Sequence, residues 1–175
     1  MKIKLYSFLL TLCLLPMLAC GQSKSKPRCD SKFFDATVRN MLHFTVPTIS
    51  CEALHAEASK YILLDARERS EYDVSHIKSA QYIGYEQFDA NVLSKISKDA
   101  PIVVYCSIGV RSEKIGEKLQ KLGYNNVKNL YGSIFEWVNK GYEVVDNSGN
   151  TSLKVHSYNQ IWGQYIKNKK MQKVN

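Results

Sequence analysis

The stretch from Ile102 to Ser112, IVVYCSIGVRS, decides the fold. Its first four residues are three β-branched side chains and a tyrosine, an apolar run bounded by turn residues, which describes a strand buried on both faces. The run stops at Cys106, turns through Gly109, reaches Arg111 and passes into SEKIGEKLQKLG, where Ile115, Leu119 and Leu122 line one helical side and Gly123 stops the helix. A cysteine therefore sits between the carboxyl end of a buried strand and the start of a helix.

The pattern extends in both directions. YILLDA is a second continuous apolar strand, ending at Asp65, and NVKNLY is a third, followed by the helical SIFEWVNKG. FTVPTIS reads as an edge strand, because its proline would interrupt a central ladder. Ser50 suits the cap of a helix over about residues 51–60, with Glu52 in its first turn. AQYIGY predicts a short strand, EQFDANVLSKIS a helix, and YEVV a last extended piece. Buried strands alternating with helices predict an α/β fold with a central, mostly parallel sheet and helices on both faces. Chemistry in such sheets gathers beyond the carboxyl ends of the strands, where Asp65 and Cys106 both fall.

The loop CSIGVR, residues 106–111, has the composition of an anion cradle. A tight strand-to-helix loop turns successive backbone N–H groups inward, and the following helix adds its unsatisfied N–H groups. Gly109 permits backbone angles that other residues avoid, and Arg111 brings a permanent cation. A cysteine at the base of that cradle is expected to have a depressed pKa and to act as a thiolate nucleophile. A structural cysteine beside a turn would account for Cys106, but not for the glycine, the arginine and the placement together.

Three blocks in order, LLDARERSEYDVSHIKSAQYIGY, IVVYCSIGVRS and LYGSIFEWVNKGYEVV, resemble a single-domain rhodanese over roughly residues 46–145. The resemblance implies a rhodanese-like α/β fold and sulfurtransferase activity, in which sulfane sulfur passes from a donor such as thiosulfate to a thiol or cyanide through a persulfide on the loop cysteine. It implies Cys106 as that nucleophile. Ser107, Ile108, Gly109 and Val110 become the loop around the bound sulfur, and Arg111 a basic residue for small anionic donors and catalysis. Asp65 and Arg67 match an Asp-x-Arg that braces the loop neighbourhood. No metal or organic cofactor is implied. Ser75, Ser79-Ala80, Gly84 and Gly132-Ser133 depart from the family pattern outside the thiol loop. His76 reads as a hydrogen-bonded fold residue and Trp137 as core. Phosphatases of similar architecture hold their arginine six positions after the cysteine, whereas here it is five, a shorter loop suited to sulfur. The competing class is a non-enzymatic or thiol-redox partner-binding protein, which the intact loop disfavours.

The ends of the chain speak to location. MKIK followed by the apolar LYSFLLTLCLLPMLA, too short to span a bilayer, reads as a signal peptide over residues 1–19. Cys20 follows where a lipoprotein would be processed and acylated, so lipid attachment at Cys20 and a bacterial cell-envelope location are expected, with the domain facing the periplasm or the outside. Residues 20–44 are a tether and N-terminal extension, 45–146 the domain, and 147–175 an amphipathic extension. In that extension Tyr158, Ile161, Trp162, Tyr165 and Ile166 fall on one helical face, which is expected to dock on the domain, or else on a membrane or partner. The net charge of +8 is scattered mostly over the two tails, without a zinc-finger spacing or basic helix, which argues against nucleic acid. Three cysteines remain beyond Cys13 and Cys20, an odd number: Cys106, with Cys29 and Cys51 either paired or simply small buried residues.

Overall fold

The structure, a computed structural model, describes residues 26–175; the signal segment and Cys20 lie outside the described residues. Local sequence sets the elements in turn. Helix α1 (Lys32–Met41) begins where the Ser31 hydroxyl accepts the Phe34 N–H at 3.4 Å, and it buries Phe34 and Val38. Strand β1 (Thr48–Ile49) is kept short by Pro47, and α2 (Cys51–Glu57) is capped as expected by Ser50, whose hydroxyl takes the Ala53 N–H at 3.2 Å. Strand β2 (Ile62–Asp65) leads to α3 (Arg69–Val74), which opens on a reciprocal capping box between Glu68 and Glu71. Two short strands follow, β3 (His76–Ile77) and β4 (Gln81–Tyr82).

The segment EQFDANVLSKIS departs from expectation: it forms only 3-10 turns over Ala90–Lys95. Asp89 takes the Asn91 N–H at 2.9 Å and Ser94 donates to the Asn91 carbonyl at 2.8 Å, side-chain bonds that compete with an α-helical ladder. Strand β5 (Ile102–Tyr105) and helix α4 (Val110–Lys121) fall as the sequence predicts, followed by β6 (Val127–Leu130), α5 (Ser133–Asn139) and β7 (Val144–Val145). The extension holds β8 (Thr151–Ser152), β9 (Lys154–His156), a one-turn α6 (Gln160–Gly163) and β10 (Gln172–Val174).

Strands order β1-β6-β5-β2-β4 in one five-stranded sheet whose pairs are all parallel. Every residue of β5 is buried, because its alternate side chains enter two different cores. Val103 and Tyr105 join Leu63, Leu54, Phe34 and Phe135 on one side, while Ile102 and Val104 join Leu64, Ile115 and Leu119 on the other. Helices α1, α2 and α5 thus cover one face and α4 the other, the layering that a continuous apolar strand requires. Leu119 is fully buried, and cutting such a side chain to alanine costs about 2–5 kcal/mol.

The extension does dock on the domain, but not as one amphipathic helix. Helix α6 ends at Gly163, where a Cβ would stand 2.9 Å from the Ser157 Cβ, and the chain returns through β10 to pair in parallel with β9. Val155, Tyr165 and Ile166 join the core beside Phe34, whereas Ile161 stays exposed. Strand β9 lies against α3, and the Ser75 hydroxyl donates to the Lys154 carbonyl at 2.7 Å. Among the described residues no helix is long and apolar enough to cross a membrane.

Candidate active site

Cys106 leaves the carboxyl end of β5 at the floor of a small depression and is 1% exposed. Its backbone is pinned from behind. The Cys106 N–H donates to the Ser133 hydroxyl at 3.1 Å, and that hydroxyl donates onward to the Leu130 carbonyl at 3.0 Å. The carbonyls of Cys106 and Ser107 accept the Ile134 and Phe135 N–H groups at the start of α5, at 3.1 and 3.2 Å. With those carbonyls facing α5, the loop can turn donors the other way: the Gly109 N–H points at the Cys106 sulfur at 3.2 Å. Gly109 makes this possible with a φ of 122°, a conformation strained for any side chain. Asn129 on β6 locks the turn, accepting from the Ser112 hydroxyl at 2.7 Å and donating to the Gly109 carbonyl at 2.9 Å.

Burial by itself would raise the thiol pKa, yet that of Cys106 lies below its ordinary value. The charge of Arg111, the amide and hydroxyl of Ser112 and the Gly109 amide together outweigh desolvation. Cys29 and Cys51 are also free and buried, and burial, reinforced by the neighbouring Glu136, pushes both thiols far up. Among the described residues, one thiol therefore has its pKa lowered and two have theirs raised.

Arg111 lies in the wall of the depression, but its fork is turned to a residue that sequence reasoning missed. It donates to both oxygens of Glu71 on α3, at 2.6 and 2.8 Å, and to the Ser107 hydroxyl at 3.0 Å. Glu71 is 2% exposed; burial raises its pKa, but the bonds and charge of Arg111 prevail and hold the carboxyl below its ordinary value. Its signal was legible only as the second acid of a capping box, whose N–H partner is Glu68 at 3.0 Å. Ser133 was missed too: it stands where the family pattern has a glycine, with a φ of 51°, and its hydroxyl does work no glycine could.

Asp65 and Arg67 lie beneath the site, both wholly buried. Arg67 donates to Asp65 through Nε at 3.0 Å and Nη2 at 2.7 Å, and Nη2 also reaches the Ser75 carbonyl at the end of α3 at 2.7 Å. The pair ties β2 to the helix that carries Glu71, and neither side chain contacts the sulfur. His76 bonds the Tyr72 carbonyl through Nδ1 at 3.1 Å and stacks on that ring, and Trp137 donates to the Glu143 carbonyl at 2.8 Å within the core. Among the described residues no group of three or more His, Cys, Asp or Glu side chains could hold a metal ion.

The depression measures about 130 Å³. Loop residues Ile108 and Val110 line it together with side chains from both extensions: Met41 of α1, and Tyr158 and Trp162 around α6. The Tyr158 ring covers the Arg111 guanidinium at 5.1 Å, and the Tyr158 N–H donates to His156 Nδ1 at 3.0 Å.

A parallel α/β sheet with a cysteine loop of inward-facing donors at its carboxyl edge defines a class of protein, and comparison gives it a family. A family model described as "Rhodanese-like domain" matches residues 51–140, and the chain belongs to that family. It is 32% identical over 93 residues to the uncharacterized protein YqhL of Bacillus subtilis, covering 53% of this chain and 73% of that one. It is 34% identical over 79 residues to the probable adenylyltransferase/sulfurtransferase MoeZ of Mycobacterium tuberculosis, covering 45% of this chain but 20% of MoeZ, so it spans only a small part of that relative's length. Among solved structures, the rhodanese-like domain of the Anabaena Alr3790 protein matches with a TM-score of 0.54 at 23% identity, covering 57% of this chain and 79% of that one. The Bacillus halodurans BH2092 protein matches with a TM-score of 0.54 at 23% identity over 65% of this chain and 87% of that one. These structures establish the rhodanese-like fold.

Proposed function

We propose that the protein is a sulfurtransferase that moves sulfane sulfur through a persulfide on Cys106. The observation that carries this reading is the buried thiol with a depressed pKa, facing the Gly109 N–H at 3.2 Å and supported by Ser112 and Arg111. The Cys106 thiolate attacks the outer sulfur of a donor. A Cys106–sulfur bond forms as the donor's own sulfur–sulfur bond breaks, and sulfite or a thiolate departs with the electron pair. The Gly109 and Ser112 donors hold the negative charge of the resulting persulfide. An acceptor thiolate, or cyanide, then attacks the outer sulfur and returns Cys106 as thiolate. Two half-reactions through one covalent intermediate give ping-pong kinetics. Asp65 and Arg67 act as positioning residues in this scheme, since they touch α3 and not the sulfur.

The test is intact mass of the reduced protein before and after incubation with thiosulfate and, separately, with an organic persulfide. A gain of one sulfur, removed by cyanide and absent in Cys106→Ser, is expected with at least one donor. No gain with either, while Cys106 still reacts with an alkylating agent, overturns the reading. A second proposal rests on sequence alone: lipid on Cys20 carries the domain at the bacterial cell envelope. Labelled fatty acid should enter the expressed full chain and fail to enter Cys20→Ser; equal labelling of both refutes it.

A further inference from the structure

We propose that the two extensions build a specificity wall over Cys106, and that Tyr158 and Trp162 select a small organic persulfide with an uncharged tail over thiosulfate as sulfur donor. The inference rests on the sulfurtransferase reading and narrows its substrate. Among the described residues Arg111 is the sole cation lining the depression, and the fork of its two terminal nitrogens is already engaged by both Glu71 oxygens at 2.6 and 2.8 Å and by Ser107, three of its five N–H donors. Glu68 stands a further 3.9 Å from it, so two carboxylates answer one guanidinium. An arriving dianion would compete with Glu71 for a fork that is occupied, in a site already holding a thiolate.

What the wall offers instead is apolar surface. Met41, Ile108, Val110, Tyr158 and Trp162 line the open depression of about 130 Å³ beside Cys106. A short alkyl chain finds apolar contacts along that lining, which a sulfonate group does not. Residues outside the family match of 51–140 supply three of the five side chains, so the wall belongs to this chain's additions and not to the shared domain. The wall is also held in place. Tyr158 adopts a φ of 64°, an unfavourable conformation for a tyrosine, kept by the bond from its N–H to His156 and by its ring over Arg111. Asn159 caps α6 by accepting the Trp162 N–H at 3.0 Å, and Trp162 packs on Tyr165.

In the loading step an alkyl persulfide R–S–SH meets the Cys106 thiolate. The bond between its two sulfurs breaks, a Cys106–S–SH bond forms, and R–S⁻ leaves with the electron pair, so charge and atoms balance. Loading of the full protein by propyl persulfide generated in situ, and by thiosulfate, is followed by intact mass under single-turnover conditions. The wild type should load from propyl persulfide at least tenfold more efficiently than from thiosulfate. Tyr158→Gly removes the ring while suiting the left-handed backbone, and Trp162→Leu shortens the wall; each should lower that preference by about tenfold, the loss of a modest apolar contact. Tyr158→Phe keeps the ring and should restore the preference. Equal loading by both donors, or a preference that Tyr158→Gly and Trp162→Leu leave intact, overturns the inference while sulfur transfer stands. Failure of Cys106 to gain sulfur from either donor overturns both.

Discussion

Replacing Arg111 by methionine separates its electrostatic role from its structural one. Its guanidinium is the largest favourable influence on the Cys106 thiolate, acting against desolvation. At an effective dielectric of about 20, a unit charge held near a thiol favours the thiolate by on the order of 1–3 kcal/mol, roughly a 10- to 100-fold effect on its population. Arg111→Met should therefore raise the Cys106 titration midpoint, read from the pH dependence of iodoacetamide alkylation. Alkylation at pH 7 should fall about 10- to 100-fold, with the rate recovered at high pH. The substitution also removes the ion-pair partner of Glu71, a carboxylate that is 2% exposed and would keep only the Ser107 hydroxyl and the Glu68 N–H as donors. Stability should drop by about 2–4 kcal/mol, at the lower end of a broken buried pair because Arg111 keeps some contact with solvent. Arg111→Met/Glu71→Gln should recover much of that loss without restoring the low midpoint. Glu71 titrates below its ordinary value, so the pair's stabilisation is present above the unfolded carboxyl pKa and fades as pH falls through the folded one. That acid-side loss should vanish in the double variant. A folded Arg111→Met protein with an unchanged alkylation midpoint would refute the assignment of the thiolate to Arg111.

Three further outcomes follow from particular contacts. Asp65→Asn leaves wholly buried Arg67 without its counter-charge and should cost about 3–5 kcal/mol in chemical denaturation, with the Cys106 midpoint nearly unchanged. Ser133→Ala strands the buried Cys106 N–H and should cost about 1–3 kcal/mol, whereas Ser133→Gly should cost less, since glycine relieves a φ of 51°. His156 accepts the Tyr158 N–H, and burial first, then Arg67 and Arg111, hold its pKa below the ordinary value against the opposing pull of Glu71. A depressed folded pKa means the contribution is present above the unfolded value and is lost as pH falls through the folded one. Proteolysis of the extension should accelerate below about pH 6, with a weaker pH dependence in His156→Gln.

The thiol loop was legible because its chemistry is local. Strand, cysteine, glycine and arginine lie within eleven consecutive residues, and each has a backbone or charge reason for its place. The parallel sheet was legible for a related reason: β2 and β5 are apolar without alternation, which only burial on both faces explains. Glu71 was not legible as a partner, because it lies 40 positions from Arg111 and only the docking of α3 beside the loop brings them together. Ser133, 27 positions from Cys106, looked like a departure from a glycine pattern until its hydroxyl was found on the Cys106 amide. In the C-terminal extension the spacing of Tyr158 to Ile166 matched a helix, and tertiary packing overrode it: Gly163 against Ser157 and the pairing of β10 with β9 end α6 after one turn.

The contrast among the three described cysteines is the most direct check on how the fold, more than the residue type, sets reactivity. All three are buried, Cys106 at 1%, Cys51 at 1% and Cys29 at 7%, so exposure does not distinguish them. Charge does. Cys29 and Cys51 sit near the Glu136 carboxylate, which joins desolvation in opposing ionisation, and Lys140 only partly offsets it. The Cys51 thiol is spent as a weak donor to the Tyr131 and Ser133 carbonyls at 3.7 and 3.8 Å, a role that a thiolate could not fill. Cys106 instead receives hydrogen bonds and faces a cation. Brief iodoacetamide treatment of the native protein at pH 7, read peptide by peptide, should therefore label Cys106 at least 100-fold faster than Cys29 or Cys51. In denaturant the three rates should converge, because the environments that separate them are gone. Comparable native rates would mean that the loop does not activate its thiol, and the persulfide chemistry would lose its physical basis.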